Sequence, residues 1–208
     1  MFKLFFLISL VCFYPVTVDA ENLQSKPQTI STQFLEHFNS NSNEVKHLIE
    51  LALKLANQNL GYRYGSAEPG TGAMDCSGTI YYLLTQVGIK APPRSSDELY
   101  KWIVTEGFFH PLKSNRIDDP VFVALKPGDL LFWSGTYQTA EPASASHVML
   151  YLGKNLQGEP LMVGASNGRS YKGHQIYGVS VFDFQLPAST SKSKFLGFSC
   201  IPKLTCSS

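Results

Sequence analysis

Apolar residues in the first half of the chain recur at the spacing of α-helices. Asn43 can cap a helix that ends near Leu60 and Gly61, and its apolar positions fall on one face. The same pattern predicts a second helix over 76–87 and a short third helix from 95 or 96 to 103. The apolar face of the first helix consists of Val45, Leu48, Ile49, Ala52, Leu55 and Ala56.

The second half of the chain changes to short apolar runs separated by Gly, Pro, Ser and Asn. Branched and aromatic residues dominate these runs, which is typical of strands. Helices followed by strands predict an α+β domain, with N-terminal helices packed on a mostly antiparallel sheet. The predicted strands are 129–133, 147–152, 161–165, 179–184 and 195–201.

The N-terminus has the pattern of a secretory signal. Lys3 precedes an apolar run over 4–16, and Val18-Asp19-Ala20 suits the two positions that a signal peptidase reads. We therefore predict a signal peptide at 1–20, a polar extension at 21–43 and one catalytic domain at 44–208. The mature protein is expected to be soluble and exported, with no transmembrane segment, because no later run nears the roughly 20 apolar residues that spanning needs.

Charge and histidine placement exclude several function classes. The formal net charge is only +1 and no long basic run is present, which argues against nucleic acid as a partner. The histidines are scattered without ligand spacing to cysteines or carboxylates, so we expect no metal site, and no organic cofactor is implied. They are His37, His47, His110, His147 and His174. The sequence gives no indication of oligomeric state.

Three cysteines remain after the predicted cleavage: Cys76, Cys200 and Cys206. Exported proteins meet oxidising conditions in which thiols pair. Cys200 and Cys206 are close in sequence and their pairing is a hypothesis that rests on spacing alone. Such a bond would leave Cys76 as the free thiol.

Cys76 and His147 are the candidate chemical pair. Cys76 follows a glycine-rich segment at a predicted helix start, where the helix dipole and a nearby imidazolium would lower its pKa. His147 opens a predicted buried strand. The alternative is that Cys76 is a small buried hydrophobe and His147 a satisfied histidine. Together they favour a cysteine nucleophile with a histidine base.

The order of short motifs resembles the NlpC family, papain-like cysteine peptidases of bacterial cell walls. The motifs are Gly61-Tyr62-Arg63-Tyr64-Gly65, Asp75-Cys76-Ser77-Gly78, Leu125-Lys126-Pro127-Gly128-Asp129-Leu130 and Ser146-His147-Val148. The similarity covers roughly 45–165, and ordered agreement is more specific than any one tetrapeptide.

The resemblance implies an endopeptidase that cuts peptidoglycan stem peptides, typically between the γ-carboxyl of D-glutamate and the diamino acid. It implies that Cys76 forms an acyl-enzyme and that His147 is the general base. It also implies that Tyr62 and the backbone N–H of Cys76 stabilise the oxyanion, although core packing is the alternative for Tyr62.

Three further residues match family positions that bind substrate. Asp75 and Ser77 flank the nucleophile, and a free amine at the stem's N-terminal end is expected to meet the Asp75 carboxylate. Asp75 is equally suited to cap the helix. Arg94 matches an arginine after the catalytic helix, and its alternative is a surface ion pair.

One family position differs in this chain. The family usually has a third polar residue, often histidine, on the strand after the catalytic histidine, and Gly164 stands at the matching position. A backbone carbonyl, a water, Ser166 or Asn167 would then have to orient the imidazole. Ser166-Asn167-Gly168 is also typical of a turn after the strand.

The missing residue leaves other functions open. A related amidase, or a toxin aimed at competitors' walls, is the second hypothesis. The third is a module that binds peptidoglycan without cleaving it. Intact Cys76 and His147 favour the enzyme.

Overall fold

The computed structural model describes residues 26–137 and 144–206. The predicted signal peptide at 1–20 and the start of the polar extension lie outside the described residues. The α-helices are α1 (Asn43–Ala56), α2 (Cys76–Gln86) and α3 (Ser96–Glu106). The strands are β1 (Gly61–Tyr62), β2 (Ala73–Met74), β3 (His110–Pro111), β4 (Leu130–Ser134), β5 (His147–Lys154), β6 (Pro160–Tyr171), β7 (His174–Asp183) and β8 (Lys194–Ser199). Short 3₁₀ turns occupy Thr32–Phe34, Phe38–Ser40, Pro69–Thr71 and Pro120–Ala124.

Six strands form one antiparallel sheet in the order β3-β8-β4-β5-β6-β7. The two-residue strands β1 and β2 form a separate parallel pair. The expected α+β class with a mostly antiparallel sheet is confirmed. Four of the five predicted strand starts lie within one residue of the observed ones, while β7 begins at His174, five residues before the predicted start at Val179. β1, β2 and β3 are too short to produce a periodic signal.

The helices begin where side chains satisfy their free N–H groups. The hydroxyl of Ser42, rather than Asn43, caps α1 by accepting from the backbone N–H of Val45. α3 begins with a reciprocal capping box between Ser95 and Glu98. The apolar face of α1 is buried, and α1 packs on β6 and β7 while α2 packs on β5 and β6. The start of α2 therefore lies next to the middle of the sheet.

The described part of the polar extension packs against the domain. Leu35 and Phe38 join the core, and Leu35 pairs with Asn155 in an isolated antiparallel bridge. The backbone N–H of Gln28 donates to the Ser180 hydroxyl on β7 at 2.8 Å. Residues 26–42 therefore contact β7 and the chain directly after β5, even though their sequence is mainly polar.

β6 extends well beyond the predicted strand, which ended at Ala165. Ser166, Asn167 and Gly168, which the sequence suggests as a turn, lie inside β6, and the pairing with β7 shifts register between Asn167 and Arg169. Gly168 takes a φ of 104°, a conformation that favours glycine. A bulge therefore occupies the place of the expected turn, and the strand continues to Tyr171.

The C-terminal tail is closed by a disulfide between Cys200 and Cys206, whose Cα atoms are 5.0 Å apart. Cys76 is the free, buried cysteine of the described chain. Over residues 26–137 and 144–206, none of the helices has the length and apolar character needed to cross a bilayer.

Candidate active site

The Asp75 carboxylate organises the start of α2. One oxygen accepts from the backbone N–H of Gly78, and the other accepts from the N–H of Gly65 at 2.6 Å. Asp75 therefore caps α2 and fixes the preceding glycine-rich loop to it. Cys76, the first residue of the helix, is held between this loop and the sheet.

Asp75, Ser77 and Arg94 form one polar cluster beside Cys76. The Arg94 guanidinium donates to both Asp75 oxygens, at 3.2 and 3.1 Å, and to the Ser77 hydroxyl at 3.0 Å. The expected capping role of Asp75 is observed, and its capping oxygen is also bonded to Arg94, whereas its role toward a substrate amine stays a prediction. Arg94 is no mere surface ion pair, since its partner carboxylate is buried.

The Cys76 thiol is buried against the start of β5. Its exposed fraction is 4%, and α2 packs on β5, whose first residues are His147 and Val148. Burial, followed by the negative charge of Asp75, raises the pKa of Cys76 to about 11. The sequence had suggested a lowered pKa from the helix dipole and an imidazolium. Desolvation outweighs the helix dipole here, and His147 supplies no positive charge.

This thiol pKa predicts slow alkylation at neutral pH. Only about one thiol in ten thousand is ionised at pH 7 when the pKa is about 11. The iodoacetamide reaction rate of Cys76, followed by mass spectrometry, should therefore keep rising with pH up to at least 10. The urea-unfolded chain with its disulfide intact is the control and should titrate near the ordinary value of about 8.5. A folded-state rate that is already maximal at pH 7 would contradict the prediction.

His147 is the first residue of β5 and is likewise buried, with 7% exposure. It pairs with Trp133 across β4 and β5, and the two rings have centroids 5.7 Å apart. Burial, reinforced by the positive charge of Arg169, lowers the pKa of His147 well below its ordinary value. At neutral pH both Cys76 and His147 are therefore uncharged.

Arg169 contacts the imidazole directly. Its Nε donates to His147 Nε2 at 3.2 Å, and its guanidinium carbon lies 4.1 Å from the centroid of the Trp133 ring. A guanidinium has no acceptor, so the His147 nitrogen bonded to it must present a lone pair. The proton of the neutral ring is consequently on Nδ1. In this arrangement neither ring nitrogen has a free lone pair to take the thiol proton.

Neither Ser166 nor Asn167 hydrogen-bonds to the imidazole in the described structure. Ser166 is buried and its hydroxyl accepts from the backbone N–H of Arg169 at 3.3 Å, while Asn167 is exposed. The bulge explains this difference, because the extra residue brings Arg169 to the His147 side of the strand. The sequence reasoning missed Arg169. No local sequence pattern around residues 166–168 places Arg169 beside the imidazole, because that position depends on the bulge.

Two cavities meet at a group of tyrosines beside the candidate pair. A cavity of about 210 Å³ borders Cys76, Asp75 and Arg94, and one of about 1010 Å³ borders His147 and Arg169. Both are lined by Tyr62, Tyr64 and Tyr137. The rings of Tyr64 and Tyr137 touch edge to face, with centroids 5.9 Å apart. Tyr62 is half-buried, and desolvation raises its pKa, so its hydroxyl remains a donor.

α3 supports the chain just before His147. The Asp97 carboxylate accepts from the backbone N–H groups of Ser144 and Ala145, at 2.7 and 3.3 Å. Lys101 pairs with the same carboxylate one turn later at 2.7 Å. In residues 26–137 and 144–206, no group of three or more His, Cys, Asp or Glu side chains is placed to hold a metal ion.

Comparison with known protein families identifies the family of this chain. The NlpC/P60 family profile matches residues 59–178, which is more than half of the chain. The chain belongs to the NlpC/P60 family. The matched range contains Cys76, His147 and Arg169. The resemblance noted from the motifs is thereby confirmed.

One curated relative is murein DD-endopeptidase MepH of Escherichia coli (strain K12). It is 30% identical over 112 residues, which cover 53% of this chain and 35% of MepH. The chain thus aligns with about a third of the length of this relative.

Gly164 stands where the motif resemblance predicts a third polar residue, and its surroundings leave no room for a side chain. A Cβ added to Gly164 would lie 2.7 Å from the sulfur of Met149, which is fully buried on the neighbouring strand β5. Met149 lies two residues after His147 and so projects from the same face of β5. Its thioether therefore fills the space into which a side chain at residue 164 would extend.

Gly78 in the NlpC/P60 motif is required by close packing. A Cβ there would lie 2.2 Å from the carbonyl oxygen of Ser66 and 2.8 Å from Asp75 Oδ1. Gly78→Ala should therefore lower the free energy of unfolding by about 2 kcal/mol or more, measured by urea denaturation. Gly70→Ala is the matched control because nothing lies within 4 Å of its added Cβ. Equal stability of the two variants would contradict this packing argument.

Proposed function

We propose that this NlpC/P60 chain is an exported cysteine endopeptidase that hydrolyses peptidoglycan stem peptides. One observation carries the proposal. The Cys76 residue at the start of α2 lies next to the strand that begins at His147, and a cavity borders each of these two residues. The relative MepH, named a murein DD-endopeptidase, supports the substrate class. The packing of α2 on the sheet supports a papain-like arrangement of nucleophile and base.

The reaction would proceed through a thioester. His147 takes the thiol proton, and the Cys76 sulfur attacks the amide carbonyl to form a tetrahedral oxyanion. The imidazolium then protonates the leaving amine and the C–N bond breaks. Water, deprotonated by His147, hydrolyses the thioester and returns the thiol.

Donors near Cys76 would stabilise the oxyanion. The backbone N–H of Cys76 is at the first turn of α2, where N–H groups lack helical partners. Tyr62 lines both cavities and keeps its phenolic proton, so it can donate from the other side. Such preorganised donors are commonly a large part of the rate enhancement in acyl transfer.

The Asp75, Ser77 and Arg94 cluster would receive the stem's N-terminal end. Asp75 is already bonded to Arg94, so an incoming amine shares this carboxylate instead of meeting it alone. The Ser77 hydroxyl supplies a second polar contact in the same cavity.

The scissile bond has two candidates. The motif resemblance favours the amide between D-glutamate's γ-carboxyl and the diamino acid. The name of MepH favours a DD bond instead. We propose the γ-D-glutamyl bond first, because Asp75, Ser77 and Arg94 are all present in one cluster beside Cys76 to receive a short N-terminal segment.

A binding module without catalysis is the second candidate function. The state of His147 favours it, because Arg169 occupies Nε2 and the thiol pKa is raised. It predicts that the chain binds stem peptides and leaves them intact.

Mass spectrometry of defined stem peptides tests the proposal. The parent chain and Cys76→Ala are each incubated with one peptide that contains only the γ-D-glutamyl bond and one that contains only a DD cross-link. Cleavage by the parent alone supports the cysteine peptidase and identifies the bond. Binding of both forms without cleavage by either would favour the binding module.

Export is a separate part of the proposal. Expression with the full N-terminus should yield a protein outside the cytoplasm whose first residue is Glu21. Recovery of the uncleaved chain in the cytoplasm would contradict it.

A further inference from the structure

The cavity on the His147 side is electropositive. Arg169 and Lys192 both line this space of about 1010 Å³, and the described residues around it include no Asp or Glu. If Cys76 attacks the amide carbonyl, the cavity beyond His147 receives the amine side of the scissile bond. An anionic group on that side of the substrate would be complementary to it.

Arg169 has donors to spare. Its Nε is used by His147, while Nη1 and Nη2 make no hydrogen bond to any residue in the described ranges. The face of the guanidinium packs on Trp133, which holds the group in one plane at the cavity wall. A planar guanidinium with free Nη donors is well suited to bind a carboxylate.

The Arg169 side chain also controls whether His147 can accept a proton. While Nε of Arg169 donates to His147 Nε2, the ring proton must stay on Nδ1 and no lone pair is free. The positive charge beside the ring also opposes formation of the imidazolium that catalysis requires. Any ligand that draws the guanidinium away, or neutralises its charge, would favour the catalytic state.

We propose that Arg169 binds a free carboxylate on the amine side of the scissile bond, and that this contact releases His147 Nε2 so that the imidazole becomes a base only with such a substrate bound. The inference rests on the proposed peptidase function. Arg169 is then a specificity-determining residue because it contacts the substrate carboxylate, and a positioning residue for catalysis because it acts on the thiol only through His147.

The release of His147 by the substrate conserves protons between the ring and water. The substrate carboxylate accepts one hydrogen bond from a free Nη and one from Nε, as in a bidentate pair, and this takes the Nε donor away from the ring. Nε2 then takes a proton from water while Nδ1 gives one up to water, so the ring stays neutral with Nδ1 free. Nδ1 accepts the Cys76 proton and the thiolate–imidazolium pair forms.

The kinetic test uses two stem peptides that differ in one group. One has a free carboxylate on the residue after the scissile bond, and the other has a carboxamide there. The parent should cleave the carboxylate peptide with a kcat/KM about 10- to 100-fold higher, the range expected for hydrogen bonds to a charged group. Equal cleavage of both peptides would overturn the inference and leave the peptidase function standing.

Arg169→Met should cleave the two peptides with equal kcat/KM, and Arg169→Lys should recover part of the preference. Arg116→Gln is the matched control because it also removes one positive charge, from an exposed arginine paired with Asp118. It should keep the parent's preference. A preference that survives in Arg169→Met would also overturn the proposal.

A binding test separates this inference from the proposed function. Cys76→Ala is titrated by calorimetry with the amine-side fragment as carboxylate and as carboxamide, while nitrogen NMR follows the His147 ring. We expect tighter binding of the carboxylate and movement of the ring proton from Nδ1 to Nε2. Equal affinities, or a ring proton that stays on Nδ1, would overturn the proposal even if the parent cleaves nothing.

Discussion

A Cys76→Ser chain is expected to cleave stem peptides at least about 1,000-fold more slowly than the parent, measured as kcat/KM. A serine hydroxyl is far harder to ionise than a thiol. It would lie in the same buried position, where desolvation already raises the pKa of the thiol to about 11. The Arg169 contact with His147 gives the hydroxyl no stronger base to compensate.

The stability of Cys76→Ser provides the control. The substitution nearly conserves volume but places a hydroxyl in a buried site, so the free energy of unfolding should fall by no more than about 3 kcal/mol, which leaves the chain folded. The variant should also bind stem peptides as the parent does. A serine variant with parental kcat/KM would show that the reaction does not pass through this side chain.

Asp75→Ala is expected to lower the free energy of unfolding by about 3 kcal/mol. The substitution removes the cap of α2, the bond to the Gly65 backbone and both contacts with Arg94. The Arg94 contribution is reduced because its side chain is 35% exposed and water screens its charge. Urea denaturation, with the slope compared between variants, measures the change.

Asp118→Ala is the matched control for Asp75→Ala. Asp118 also pairs with an arginine, at the shorter distance of 2.6 Å, yet both partners are largely exposed. Its removal should leave the unfolding curve unchanged. If Asp118→Ala cost as much as Asp75→Ala, the stabilising role would belong to the ion pair and not to the buried cap.

The sequence predicted the positions of Cys76 and His147 because each lies at the start of a strongly patterned element. The helical spacing after Cys76 and the apolar run after His147 determine which backbone each residue belongs to. The antiparallel sheet followed from the succession of such runs. The predicted cap of α1, Asn43, is one residue later than the observed cap, Ser42, because both are good capping residues.

Arg169 could not be predicted in the same way. Its role depends on a register shift at Gly168, and Ser166-Asn167-Gly168 has the composition of a turn and of a bulge alike. Only the pairing of β6 with a long β7 decides between them. The protonation of the pair also depends on burial, which no local pattern around Cys76 reports.

The packing of Met149 against Gly164 restricts how this lineage can change. Gly164→His alone would drive its side chain into the Met149 sulfur, and Met149→Gly alone would leave a void in the core. A side chain at residue 164 therefore requires the Met149 thioether to move or to be replaced by a smaller group. The two positions are expected to vary together, with a larger residue at 164 accompanying a smaller one at 149.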